Sequence, residues 1–161
     1  MNHEIHVRYA EVIESINESI RSFNSLLNES MQFRVISPGD PLTYSDSMKN
    51  GWGAQGWPSK DSPGIYALCC AEMQNKSNVA VYIGKASMRV MGHRMYSHLN
   101  PFRDKGVYLR KHGGKDFEIE AMLASPVQTA GAGCLASALE EYVIARGVSG
   151  ALLLNSTGVR Q

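Results

Sequence analysis

Residues 63–98, PGIYALCCAEMQNKSNVAVYIGKASMRVMGHRMYSH, decide the fold. Two apolar runs, Ile65 to Ala71 and Val79 to Ile83, are rich in β-formers. They flank a polar tip of turn-formers, Gln74-Asn75-Lys76-Ser77-Asn78. That pattern predicts a β-hairpin. Each run carries a tyrosine beside a glycine: Gly64-Ile65-Tyr66 opens the first and Tyr82-Ile83-Gly84 closes the second. Just beyond come Lys85, Arg89, Arg94 and His98, on a stretch expected to be helical. A hairpin that presents two phenols, followed by a helix that presents cations, suits a site for a phosphate diester.

Downstream of the hairpin, Met88 to Leu99 reads as a helix with Met88, Met91 and Met95 on or near the core side. Arg94 and His98 stand four apart and share a face. Arg89 and His93 form a second such pair, rotated from the first by about a quarter turn. Asn100-Pro101 ends the helix. Residues 102–115 are basic with Phe102 and Tyr108 interleaved, which suits contact with a nucleic-acid backbone through Arg103, Lys105, Arg110 and Lys111. Phe117 to Leu123 alternates apolar and acidic residues, a half-exposed strand that should pair with the hairpin.

Leu135 to Arg146 is the next helix, ended by Gly147. Its apolar face centres on Leu139, which places Glu140 about 100° away at the border of that face and Glu141 about 200° away in solvent. A carboxylate that must meet a metal on a sheet surface sits at such a border. On the helix alone, both glutamates also suit plain solubility charges. Leu152-Leu153-Leu154-Asn155 then reads as a short buried strand ending in a polar amide.

Upstream, residues 2 to about 29 form one amphipathic helix, with Ile5, Tyr9, Val12, Ile13, Ile16, Ile20, Phe23 and Leu27 recurring at three and four. Such a stripe serves either the domain's own core or a dimer, and the first is the plainer use. Phe33 to Ile36 is a candidate short strand, broken by Pro38-Gly39-Asp40-Pro41. Gly51 to Pro58 is loop by composition; Trp52 and Trp57 in it either anchor the loop or stack on bases, and anchoring is preferred.

The 161 residues fit one domain, with residues 1–61 as an extension and 62–158 as the core. No run of eighteen apolar residues exists to span a membrane, and the start of the chain lacks a signal-peptide pattern. Cys69, Cys70 and Cys134 make neither a disulfide framework nor zinc spacing. They read as buried small hydrophobes in a reducing, cytoplasmic setting. The net charge of +1 hides an asymmetry: residues 85–115 hold eight Lys or Arg against one acid, Asp104. That is the footprint of a polyanion-binding face, or else a solvated surface where basic residues gather.

The two tripeptides at hairpin spacing, followed by Lys85, a basic helix, a glutamate and an asparagine, resemble the signature of the GIY-YIG nuclease superfamily over residues 62–158. Either tripeptide alone is weak; the pair with its followers is fairly specific. The resemblance implies an α/β (α+β) domain with a small, mostly antiparallel three-stranded sheet flanked by helices. It implies a Mg²⁺-dependent DNA endonuclease with Tyr66, Tyr82, Arg94, His98, Glu140 and Asn155 in one site and Lys85 beside it. Glu140 would be the hard oxygen ligand of one Mg²⁺, for which Mn²⁺ can substitute. Arg94 would fork onto the non-bridging phosphate oxygens. Arg89 competes for that role, although the spacing of Arg94 to His98 also resembles the family's.

Tyr66, Tyr82 and His98 are the candidate general bases. A phenol, with a reference pKa of about 10, needs a cation such as Lys85 or Arg94 to serve. Tyr66 is favoured, because alternation puts it on the face of Gly64, where a missing side chain leaves room for a water. A small chain with its own targeting segments, residues 30–62 and 100–115, is most like a stand-alone restriction-type or mobile-element enzyme. Its partner is double-stranded DNA, and a homodimer is needed to cut both strands. A repair or recombination nuclease is an alternative within the family. Outside it stand a catalytically silent nucleic-acid-binding module, and a metal-free small-molecule or structural protein with a chance motif.

Overall fold

The hairpin forms where its pattern places it, as strands β2 (Gly64–Glu72) and β3 (Val79–Ala86) of the computed structural model. The structure describes residues 3–37, 42–43, 61–88, 91–99 and 109–155. Around the hairpin lie β1 (Leu42–Thr43), β4 (Leu109–His112), β5 (Lys115–Pro126) and β6 (Leu152–Leu153). Among the described residues, the α-helices are α1 (His3–Asn24), α2 (Met91–Leu99) and α3 (Leu135–Arg146), with 3₁₀ turns at Glu29–Met31 and Ala130–Ala132.

The class is α+β, but the sheet is larger than three antiparallel strands. Its order is β1-β5-β2-β3-β6, with β4 also pairing β5. The long strands β5, β2 and β3 are the antiparallel centre, and β6 adds to β3 in parallel. β1 and β6 are two residues each, too short to carry a periodicity of their own. β4 was hidden inside the basic stretch: Gly113 and Gly114, at φ of 57° and 76°, turn it straight back into β5. Two consecutive left-handed residues are what a two-residue hairpin turn requires.

Several boundaries move. α1 stops at Asn24 and α2 begins at Met91, not Met88. Phe33 to Ile36 is not a strand; only Phe33 makes an isolated bridge, to Val127. The strand read as half-exposed is buried over most of its length, because β1, β4 and β2 flank it and helices cover the sheet. β6 is half-open, with Leu152 exposed and burial reached only at Leu154. Cys69 and Cys70 are buried, whereas Cys134 is exposed just before α3. Residues 51–58 and 100–108 lie outside the described residues.

Alternation splits the sheet into two apolar faces. Ile65, Ala67, Cys69, Val81 and Ile83 pack under α1 and α3, against Tyr9, Val12, Ile13, Ile16 and Ile20 from α1 and Ala136, Leu139 and Val143 from α3. Tyr66, Leu68, Cys70 and Ala80 face the other way, where Met91 and Met95 of α2 cover them together with Phe117, Ile119 and Met122. The apolar stripe of α1 is therefore spent on the chain's own core. At about 1.5–3 kcal/mol for each fully buried large side chain, these two clusters are what hold β2 rigid.

Candidate active site

The two tripeptides meet because the hairpin register pairs Tyr66 with Gly84. The Tyr66 ring lies on Gly84: a methyl built there would stand 2.3 Å from Tyr66 Cζ and 2.5 Å from its hydroxyl oxygen. Only glycine admits the ring. Tyr82 is two residues away on the same face, opposite Leu68, and packs against the cluster that contains Tyr66. Tyr66 is 3% exposed and Tyr82 is half-buried.

Gly64 does different work from that expected of it. A Cβ on Gly64 would meet Ser125 O at 2.3 Å and Met91 Cε at 2.7 Å, so β5 and α2 already fill the place reserved for a water. The small neighbour of Tyr66 is Gly84, across the strand pair. Alternation along one strand cannot reveal this, since it depends on register.

Lys85 continues β3 on the opposite face from Tyr82, the face of Val81 and Ile83. Its ammonium stands 3.1 Å from Glu140 Oε2 on α3. Glu140 lies at the border of the helix's apolar face, with its side chain 16% exposed, while Glu141 is exposed. The cation next to the motif is thus engaged by the carboxylate.

Asn155 reaches the same strand. Its Oδ1 accepts from the Ile83 N–H at 2.8 Å, and its Nδ2 donates to the Ile83 carbonyl at 2.7 Å. It holds the middle residue of Tyr82-Ile83-Gly84. Arg94 is exposed on α2, about 80° from the midpoint of the buried Met91 and Met95. It therefore sits at the rim of the face that carries both tyrosines. The backbone of His98, Arg110 and Lys111 is described and their side chains are not. Arg89, Arg103 and Lys105 lie outside the described residues.

The residues expected in one site fall on two faces of the sheet at one end of β3: Tyr66 and Tyr82 on the α2 face, and Lys85 with Glu140 on the α3 face. Between them runs the strand edge that Asn155 holds. Among the described residues, no group of three or more His, Cys, Asp or Glu side chains gathers as a metal cage.

Burial first, then the charges of Cys69 and Glu120, push the Tyr9 phenol far above its ordinary value. Its hydroxyl donates to Glu120 Oε2 at 2.8 Å, and Arg8 meets the same oxygen at 2.6 Å. Glu120 falls where the β2–β5 register slips between Cys69 and Cys70. This cluster fastens α1 to β5.

No helix among the described residues is long and apolar enough to cross a membrane. No protein-family model, curated protein or solved structure matches the chain.

Proposed function

We propose that this chain is a Mg²⁺-dependent endonuclease of double-stranded DNA, restriction-type in organisation. The observation that carries the proposal is the seating of Tyr66 on Gly84, which brings the two tripeptides into contact across the hairpin. Lys85 and Glu140 at the same strand end add a charge pair where a phosphate chemistry needs one.

One bound Mg²⁺ would neutralise charge on the scissile phosphate and lower the pKa of an attacking water. Its protein ligand would be Glu140, and a single carboxylate fits an ion that keeps several waters and leans on substrate phosphate. The same donor set does not fit a cation enclosed by protein. Lys85 balances Glu140 in the free chain and turns to the phosphate when the carboxylate is otherwise engaged. Arg94, at the rim of the tyrosine face, forks onto non-bridging oxygens. Tyr66, its hydroxyl over Gly84 at the strand end, takes the proton of the water; Tyr82 and His98 are its competitors. Residues 85–115, with their excess of Lys and Arg, hold the duplex backbone. Targeting falls to residues 30–62 and 100–115, and double-strand cleavage to a pair of chains.

A second reading, binding of nucleic acid without cleavage, is favoured by one feature: Lys85 already neutralises Glu140. Incubation with supercoiled plasmid separates the two. Nicked and linear DNA with Mg²⁺, and intact plasmid with EDTA, is the expected result. A mobility shift with no strand breakage under either condition would leave only the binding module.

A further inference from the structure

We infer that Asn155 is a positioning residue that replaces a missing peptide unit on the edge of β3, and that it acts on the proposed reaction through Ile83 without touching phosphate or metal. β6 pairs with β3 only from Ala80–Leu152 to Val81–Leu153, and its last backbone rung is the Leu154 N–H to the Val81 carbonyl at 2.8 Å. The next outward-facing rung on β3 belongs to Ile83. There the backbone of the short strand has run out, and the Asn155 side chain supplies both halves of the rung, at 2.8 and 2.7 Å. A carboxamide presents one carbonyl and one NH₂, the same complement as a peptide. A peptide's two bonds run to different residues, whereas both of these close on one residue and clamp it. Ile83 lies between Tyr82 and the glycine on which Tyr66 rests, so slack at Ile83 reaches both phenols.

The chain uses the same device twice more, away from the hairpin. Asn17 donates to the Ile36 carbonyl at 2.8 Å and accepts from the Ile36 N–H at 2.7 Å. Asn24 clamps Phe33 in the same way, at 2.8 and 2.8 Å. In both cases α1 grips a segment that has no ladder of its own. Neither clamp touches the two tripeptides or the Lys85–Glu140 pair, which marks it as a structural use of asparagine. It also provides an internal control.

Aspartate at position 155 is the informative change. Ionised, it still accepts from the Ile83 N–H but sets an oxygen against the Ile83 carbonyl with no proton between them. Protonated, it has a donor again. The folded state therefore raises the pKa of that carboxyl above its unfolded value of about 3.9. Its stabilising contribution is complete below the unfolded value and is lost as pH rises through the raised one. Wild type carries Tyr82 and Lys85 on β3 and Glu140 on α3 as well, so each pH is compared with wild type.

The test is hydrogen exchange at the Ile83 amide, with single-turnover plasmid cleavage beside it, for wild type, Asn155→Asp, Asn155→Ala and Asn24→Asp. At about pH 7, Asn155→Asp should lose tenfold or more of the protection at Ile83 and regain it near pH 4. Asn155→Ala should stay loose at both, and if it does not fold, the pH dependence of Asn155→Asp carries the test alone. In cleavage, Asn155→Asp should lower kcat with KM little changed. Asn24→Asp should loosen Phe33 and leave the exchange at Ile83 as it is. The cleavage arm rests on the nuclease proposal; the exchange arm does not. If wild type cuts nothing while Ile83 follows pH as stated, the nuclease proposal falls and the clamp stands. Wild-type protection at Ile83 in Asn155→Asp at neutral pH overturns the clamp. So does a loss of cleavage with Ile83 protection intact, which would put Asn155 on the substrate.

Discussion

The two ends of the β2–β3 hairpin are built on opposite principles. At the motif end, Gly64, Tyr66 and Gly84 interlock with Ser125 and Met91 at distances no added methyl survives. At the tip, polar bonds hold the chain. Glu72 accepts from Asn78 at 2.7 Å and Lys115 at 3.0 Å, and Lys76 bridges Glu118 and Glu120 across exposed surface. Steric fit is short-ranged and unforgiving, whereas exposed ion pairs are worth about 0–1 kcal/mol and yield to salt. The tip also has a groove of about 620 Å³ lined by Glu72, Asn78, His112, Lys115, Phe117 and Leu152. The proposed chemistry does not sit in it. A duplex is too large for a cavity and would approach the open strand end, so shape and chemistry separate along one hairpin.

The largest difference between the ends should come from the carboxylate. Glu140→Ala should lower plasmid cleavage by about 10³-fold or more, several kcal/mol of transition-state stabilisation, while DNA binding survives. Glu141→Ala should stay near wild type, because that side chain is exposed on the outer side of α3. Nuclease assays and gel shifts on both variants read this directly. A dependence on Glu141 instead would remove the Lys85–Glu140 pair from the chemistry.

Tyr66→Phe keeps the ring on Gly84 and drops the hydroxyl, so it separates fit from chemistry at the motif end. As the general base, Tyr66 should cost ~10²-fold in single-turnover rate, with thermal stability and binding little changed. As only a wall of the pocket, it should cost about tenfold, the worth of one hydrogen bond. A rate within tenfold, alongside a collapse for Tyr82→Phe or His98→Ala, moves the proton to that residue.

Gly84→Ala tests the fit itself. A methyl 2.3 Å from Tyr66 Cζ must displace the ring or the strand, and overpacking of this kind costs about 1–3 kcal/mol. Thermal unfolding should show that loss, and Tyr66→Ala in the same chain should relieve part of it. Lys76→Ala at the tip should change the midpoint hardly at all. Equal effects at the two ends would erase the distinction between them.

The chain itself made the hairpin, the helix of Leu135 to Arg146 and its Gly147 stop legible, since each carries a local pattern of turn-formers or apolar spacing. The interlock was not legible, because Tyr66 meets Gly84 only once register is fixed, and alternation alone pointed to Gly64. The tip sequence 74–78 misplaces the register by two: counting outward from it pairs Tyr66 with Ala86, whereas the strands pair it with Gly84. β1 escaped because two residues have no period, and β6, read as a short strand, carried no sign of which strand it joins. Lys85 on Glu140 and Asn155 on Ile83 join residues far apart in the chain, where spacing says nothing about contact. Basic composition disguised β4, although Gly113-Gly114 was a visible hairpin turn.

The smallest effect belongs to the tip and has a definite sign. The Asn78 amide, and after it the Lys115 ammonium, hold the Glu72 carboxyl below its ordinary value of 4.5. A carboxyl lowered by folding stabilises the native state at pH above its unfolded value, and that contribution is lost as pH falls through the lowered one. Glu72→Gln keeps an acceptor for Asn78 but gives up the charge that Lys115 meets. The variant should therefore unfold at a slightly lower temperature than wild type at neutral pH. The gap should close as the pH drops below 4.5, where wild type loses the same charge. Added salt should narrow the neutral-pH gap as well, because Lys115 is exposed. Cleavage should not change, since Glu72 lies at the far end of β2 from Tyr66. A gap that widens in acid would mean that Glu72 is held neutral and not charged. A loss of cleavage in Glu72→Gln would tie the tip groove to the chemistry and break the separation between the two ends of the hairpin.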